Sequence, residues 1–285
     1  MKATAGERVF NIINIAFMAA FSLSILLPLV NIFALSFNNG YNLSGVYFWP
    51  KQFSLSAYDT IITKGNLPHS ALNSAARTVF GTLITLVTTS ILAYILSERD
   101  LVFRRGIIFF CIFTMYVGGG LIPEFLLFRA IGFYDNFLIY IIPGAISAYY
   151  LMIMRQFFED LPQSVMESAR IDGAGEMRVL WKIILPMSLP IIATIAVMSA
   201  VGQWTYWQDT YFFTRNDGRL ETLQSKLVGI LLQAEASAMT TDQIGLNYED
   251  KRKLATPETI RMATIVVTTL PIIMVYPLLQ RYFIS

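Results

Sequence analysis

The chain has 285 residues, 55% of them hydrophobic and 14% charged, with 21 Lys and Arg against 19 Asp and Glu and a net charge of +2; its mean hydropathy is +0.56. So little charge cannot coat a soluble globule of this size, which places the protein in a lipid bilayer, and a net charge this small gives no footprint for nucleic acid. A lone Cys111 cannot form an internal disulfide, and a lone His69 cannot build a zinc site, which takes three or four protein ligands.

Six apolar runs follow one another: roughly Phe10 to Phe37, Leu72 to Leu96, Gly106 to Phe128, Phe137 to Phe158, Ile183 to Trp204 and Ile260 to Phe283. Each has about the 20 residues a spanning helix needs. A membrane β-barrel would show shorter segments of alternating polarity, whereas these runs are continuous. The expected fold is an all-α polytopic membrane protein of six transmembrane helices. The first run follows Lys2 and Arg8, but its apolar core exceeds that of a signal peptide and no small-residue cleavage site closes it, so it reads as a retained span.

Lys and Arg in the shorter loops set the orientation. With the N-terminus in the cytoplasm, the inside collects Lys2, Arg8, Arg99, Arg104, Arg105, Arg155, Arg170, Arg178, Lys182 and Arg281. The two short outer loops then hold Lys51, Lys64 and Arg129. Both termini are expected inside. Residues 1–71 form the first span and first outer loop, and 72–285 a core with a cytoplasmic loop at 160–182 and a long outer segment at 205–259. That segment is longer than a connection requires; Gly218 and the polar run Thr240 to Gln243 suit turns within it.

Prolines interrupt the runs at Pro28, Pro143, Pro186, Pro190, Pro271 and Pro277, each favouring a bend. Pro186 and Pro190 stand out because they directly follow the 160–182 loop. The second run carries Thr78, Thr82, Thr85, Thr88, Thr89 and Ser90, hydroxyls that either bond their own helix or line a wet cavity. Arg77, Glu124 and Arg129 lie near the outer ends of runs, where structural pairing or snorkelling accounts for them. Trp204, Tyr206, Trp207, Tyr211, Phe212 and Phe213 crowd the outer end of the fifth run. An interfacial aromatic belt explains that crowd; the alternative is a sugar path at Trp204, Tyr206 and Trp207, since pyranose C–H faces suit an aromatic plane.

The most informative stretch is Leu161 to Pro186, LPQSVMESARIDGAGEMRVLWKIILP, a charged, glycine-punctuated island between two apolar runs. Ser164 with Glu167 has capping-box spacing, and Gly173 offers a left-handed stop. About two helical turns result, followed by Gly175 and a second short helix from Glu176 into Trp181. Leu161, Val165 and Ala169 form a narrow apolar stripe that suits a partner's groove, with Glu167, Arg170 and Asp172 off it. A plain loop between two spans is the bland alternative.

The order Glu167, Ser168, Ala169, then Gly173, then Ile183, Leu185 and Pro186 resembles the EAA coupling loop of the membrane subunit of an ATP-binding-cassette importer, with Ser168 in place of the middle alanine. SERD with F-R-R-G, the IPEFLL stretch and the C-terminal PETIRMAT through YPLLQRYF are similar to the oligosaccharide branch of the maltose-type permeases. The resemblance implies a coupling helix between the fourth and fifth spans, with Ser164, Glu167, Ser168, Ala169, Arg170, Asp172 and Gly173 meeting the ATPase. It also implies a second, homologous permease subunit, a cytoplasmic ATPase dimer carrying ATP and Mg, an extracytoplasmic solute-binding protein and an oligosaccharide substrate, all in a bacterial cytoplasmic membrane. No G-x-x-x-x-G-K-[ST] is present, and Gly118, Gly119 and Gly120 lack the following lysine, so this chain is expected to be non-catalytic and cofactor-free. A stand-alone channel or ion-coupled carrier is the rival, but the intramembrane carboxylates such a carrier uses are nearly missing from the six runs.

Overall fold

In a computed structural model of the chain, which describes residues 5–38, 45–63, 67–215, 218–244 and 256–280, the regular elements are all helical. Among them the bridge between Asn38 and Phe53 is isolated from any strand. The chain divides into two compact units, residues 1–65 with 227–270, and residues 66–226 with 271–285.

In the first unit, α1 (Ala5–Ser36) runs unbroken through Pro28. It is apolar all round and none of its most apolar window is buried in the chain, as expected of a helix whose solvent is lipid. The end of α1 is held by a local aromatic knot. Phe37 stacks on Phe53 with centroids 5.7 Å apart and packs on Tyr58 of α2 (Ser56–Thr63) at 5.0 Å. The Tyr58 hydroxyl donates to Ser36 Oγ at 2.8 Å.

The second unit is organised on α3 (Leu67–Ser97). Ser70, Ser74, Arg77, Gly81, Thr85, Thr89 and Ala93 recur at three- and four-residue spacing on its buried face. Except for Arg77 they are small, which lets neighbouring backbones approach closely. Against this helix pack α6 (Ala148–Glu159) and α10 (Leu189–Thr205). The core there joins Ala93, Tyr94 and Leu96 to Leu151, Met154 and Phe158 of α6 and Ile195 of α10.

The apolar runs are not all straight spans. The first, second and sixth coincide with α1, α3 and α13 (Pro257–Gln280), three helices long and apolar enough to cross a membrane. The third breaks into α4 (Arg104–Tyr116) and α5 (Leu121–Ala130), bent by 115°. The cause is Gly120, at φ 82° and ψ 166°, a region essentially closed to residues with a Cβ. Gly120→Ala is therefore expected to cost about 1–3 kcal/mol, read as a lowered apparent Tm of the purified protein against Gly119→Ala.

The fourth run differs most from expectation. It is a 3-10 turn at Phe137–Tyr140, an irregular passage through Pro143 and Gly144, and only the twelve residues of α6. Proline supplies no N–H, so the passage depends on its neighbours. Thr85 Oγ1 of α3 donates to Gly144 O at 3.0 Å, and the Thr88 hydroxyl reaches Ala145 O. Thr78 instead bonds its own helix at Ser74 O, 2.7 Å, while the buried Thr82 and Thr89 hydroxyls have no hydrogen-bond partner. The threonine-rich run thus serves in part to satisfy broken backbone on a neighbouring segment.

The fifth run is built from α8 (Glu176–Val179), a π-helical turn at Leu180–Ile184, α9 (Leu185–Met187) and α10, bent by 84°. The break at Ser188 falls between Pro186 and Pro190, each in the first turn of its helix, where the missing N–H is tolerated. Counting each bent pair as one span gives up to five crossings among the described residues. Beyond α10 come α11 (Gln208–Phe213) and α12 (Leu223–Ile244). Gly218 takes φ +81° in a bend, as a turn requires. Thr240 to Gln243, expected as a turn, is the last turn of α12; it contains no glycine or proline to stop a helix.

Candidate functional site

The island forms α7 (Gln163–Ile171), which ends in a Schellman motif. Ala174 N–H donates to Ala169 O and Gly173 N–H to Arg170 O, both at 3.0 Å, with Gly173 at φ +80°. Those bonds require the left-handed residue that the sequence supplies. The expected capping box does not form. The helix begins two residues earlier, at Gln163 behind Pro162, which offers no side-chain cap, so Ser164 lies inside the first turn.

The apolar stripe is also turned differently. Leu161, Ala169 and the unpredicted Met166 pack on the chain's own core with Ala174, because a two-turn helix is marginal without tertiary contact. Facing outward are Ser164, Val165, Glu167, Ser168, Asp172 and above all Ile171, 85% exposed. Ile171 and the exposed Met177 on α8 are apolar residues the stripe did not include. Their signal was the IDGA string itself, which places an isoleucine directly before the helix stop.

Arg170 points inward rather than out to a partner. Its guanidinium binds Glu98, one residue beyond α3, at 2.9 Å, and Glu176 at the start of α8, at 3.0 Å. Tyr94 of α3 contributes its hydroxyl to Arg170 at 3.4 Å and hydrogen-bonds Glu176. One cation therefore fastens α7 to the end of α3 and to the helix after it. Bonding to Glu98, then to Glu176 and Tyr94, raises the Arg170 pKa; the Tyr94 bond, then Arg170, holds Glu176 below the ordinary carboxylate value. Beside it, Glu159 joins Arg104 of α4 to Arg155, the latter at 2.7 Å, and Arg104 Nε donates to Leu96 O at 2.8 Å.

A cavity of about 620 Å³ opens at the other end of α3. Arg77, 2% exposed, crosses its wall and forms a bidentate ion pair with Asp209 of α11, at 3.0 and 2.6 Å. It also donates to Gln203 Oε1 at 3.2 Å and to Tyr206 O at 2.8 Å, and its guanidinium lies 4.6 Å from the Tyr140 ring centroid. Structural pairing is thus what Arg77 does, with an acid that the sequence placed in a long outer segment. Glu124 lines the same cavity and makes no ion pair with Arg129. Of the candidate path residues, Tyr206 lines the cavity, whereas Trp204 and Trp207 do not. Phe213 does not belong to an exposed belt: it is buried against Phe125 and Phe128, at the wall of the same cavity. The segment after α11 packs down on α3, with Asn73 Nδ2 donating to Arg219 O at 2.9 Å and Ser74 Oγ accepting Leu223 N–H at 2.8 Å.

A helical fold of apolar spans with an exposed, glycine-stopped helix tied to one end is that of a polytopic membrane protein. Residues 86–285 match the family described as binding-protein-dependent transport system inner membrane component, and the chain belongs to that family. It is 35% identical over 279 residues to the polygalacturonan/rhamnogalacturonan transport system permease protein YtcP of Bacillus subtilis strain 168, covering 97% of this chain and 96% of that one. It is 34% identical over 285 residues to protein LplC of the same strain, covering 99% and 94%. A solved bacterial ABC transporter involved in the import of the acidic polysaccharide alginate superimposes with a TM-score of 0.77 and 31% identity over 99% of both chains.

Proposed function

We propose that the chain is the permease subunit of an ATP-driven importer of oligosaccharides, spanning the cytoplasmic membrane six times with both termini inside. The fourth apolar run, with α6 and the irregular passage before it, completes the sixth crossing in this reading. A second permease, an ATPase dimer that binds and hydrolyses ATP with Mg, and an extracytoplasmic binding protein make up the rest. This subunit then carries no catalytic residue. The observation that carries the reading is α7, whose outward face offers Ile171 and Glu167 on a helix fixed to the transmembrane core by Arg170. The basic residues gathered at that end support a cytoplasmic position for it. The polygalacturonan/rhamnogalacturonan transport of YtcP and the alginate import of the solved transporter support a saccharide cargo.

Purification of the tagged chain from its native membrane is expected to bring a second permease and an ATPase with it, and a chain that purifies alone would favour the stand-alone channel. In proteoliposomes containing the complex and its binding protein, Glu167→Lys is expected to lower uptake at least tenfold while ATP hydrolysis continues. Normal uptake by that variant removes Glu167 from the coupling surface.

A further inference from the structure

The cavity at the outer end of α3 has a charge balance that selects among sugars. Its volume, about 620 Å³, lies within the range of roughly 300–1,000 Å³ typical of small-molecule sites. Arg77 is the one cation among its lining residues, and four of its N–H groups are already committed to Asp209, Gln203 and Tyr206. Asp209 neutralises it. The Tyr140 hydroxyl is likewise committed, donating to Leu220 O at 2.6 Å. The other polar lining residues are Glu124, Ser147, Tyr150, Ser199, Gln203 and Tyr206. Phe128 and Phe213 add apolar faces.

With Arg77 and Asp209 cancelling, Glu124 leaves the lining with one net negative charge. Hydroxyl, amide and carboxylate groups around aromatic surface match a sugar ring, whose hydroxyls both donate and accept and whose C–H faces are apolar. A carboxylated ring would meet Glu124 with no uncommitted cation to balance it. At an effective dielectric constant near 20, two like charges at a ring's distance disfavour binding on the order of tenfold or more. Building on the importer reading, we propose that this cavity is a saccharide subsite for an uncharged, hydroxyl-bearing sugar unit, and that Glu124 discriminates against uronate units there.

The test uses the whole importer in proteoliposomes, with Cys111→Ala removing the native thiol and Gly202→Cys as reporter. Gly202 lines the cavity, and a Cβ there meets nothing within 4 Å. Labelling rates are measured with cationic trimethylammonioethyl and anionic sulfonatoethyl methanethiosulfonates, each normalised to its rate with free mercaptoethanol. The expected ratio favours the cation at least tenfold and falls toward one with Glu124→Gln. In a second arm, with the binding protein present, methyl-esterified oligogalacturonides are expected to slow labelling and the same preparation after saponification is not. A ratio near or below one, a thiol unreactive to both reagents, equal protection by both sugars or protection by neither overturns the subsite. ATP-dependent uptake and co-purification test the importer reading separately, and neither depends on this ratio.

Discussion

Asp209→Ala is expected to destabilise the protein by about 3–5 kcal/mol, because it strands Arg77 as a buried charge without its counter-ion. The side chains are 3% and 10% exposed, so water does not replace the lost carboxylate. The damage extends further, since the same guanidinium holds Gln203 and the Tyr206 carbonyl. Those bonds fix the end of α10 against α3, which is where the outer cavity lies. Asp209→Asn keeps the shape and one acceptor oxygen, and is expected to cost less. The double replacement Arg77→Met with Asp209→Leu removes both charges and is expected to recover most of the loss. Thermal unfolding of the detergent-solubilised protein at a fixed scan rate measures this series. If Asp209→Ala unfolds with the wild type, or the double variant is worse than the single, the pair is not what holds this corner.

How far the sequence anticipates this structure depends on whether the deciding interaction is local. α1 and α3 follow from their apolar composition, although α1 continues through Pro28 where a bend was expected, and the end of α7 follows from Gly173, because a left-handed stop is a property of one residue and its immediate neighbours. The 115° break at Gly120 was open in the sequence: three consecutive glycines permit either close packing or a bend, and only the backbone angles decide. Asp209 was one acid among several in a polar segment. Its partner lies 132 positions away, and the only hint was that an arginine inside an apolar run must find an acid. Arg170 was placed on the docking surface for the same reason, since Glu98 and Tyr94 lie more than 70 residues before it. The expected stripe of Leu161, Val165 and Ala169 divides: Leu161 and Ala169 pack on the chain's own core while Val165 faces outward, because periodicity alone does not say what covers a face.

Arg170→Ala is expected to leave ATP hydrolysis in place while sharply lowering transport, in the assembled importer. A nine-residue helix is too short to persist without tertiary support, and Arg170 is the residue that ties α7 at once to the end of α3 and to α8. These pairs are partly exposed, so each contributes at most about 1 kcal/mol. Acting together, roughly 1–2 kcal/mol changes the population of a detached helix on the order of tenfold. The tie through Glu176 is complete at neutral pH. Its carboxyl titrates below the ordinary value, so the contribution is lost only as pH falls through that lowered value. In the proposed importer, a helix that detaches tenfold more often would follow the ATPase without dragging α3 along. Amide exchange of residues 163–171 is therefore expected to quicken about tenfold, and the sugar moved per ATP to drop at least fivefold. Arg170→Lys keeps the charge but cannot present the planar fork that bridges two carboxylates, so it restores transport only in part. Unchanged exchange in Arg170→Ala would show that Leu161, Met166 and Ala169 hold the helix without the clamp; quickened exchange with undiminished coupling would show that transport tolerates a loose joint.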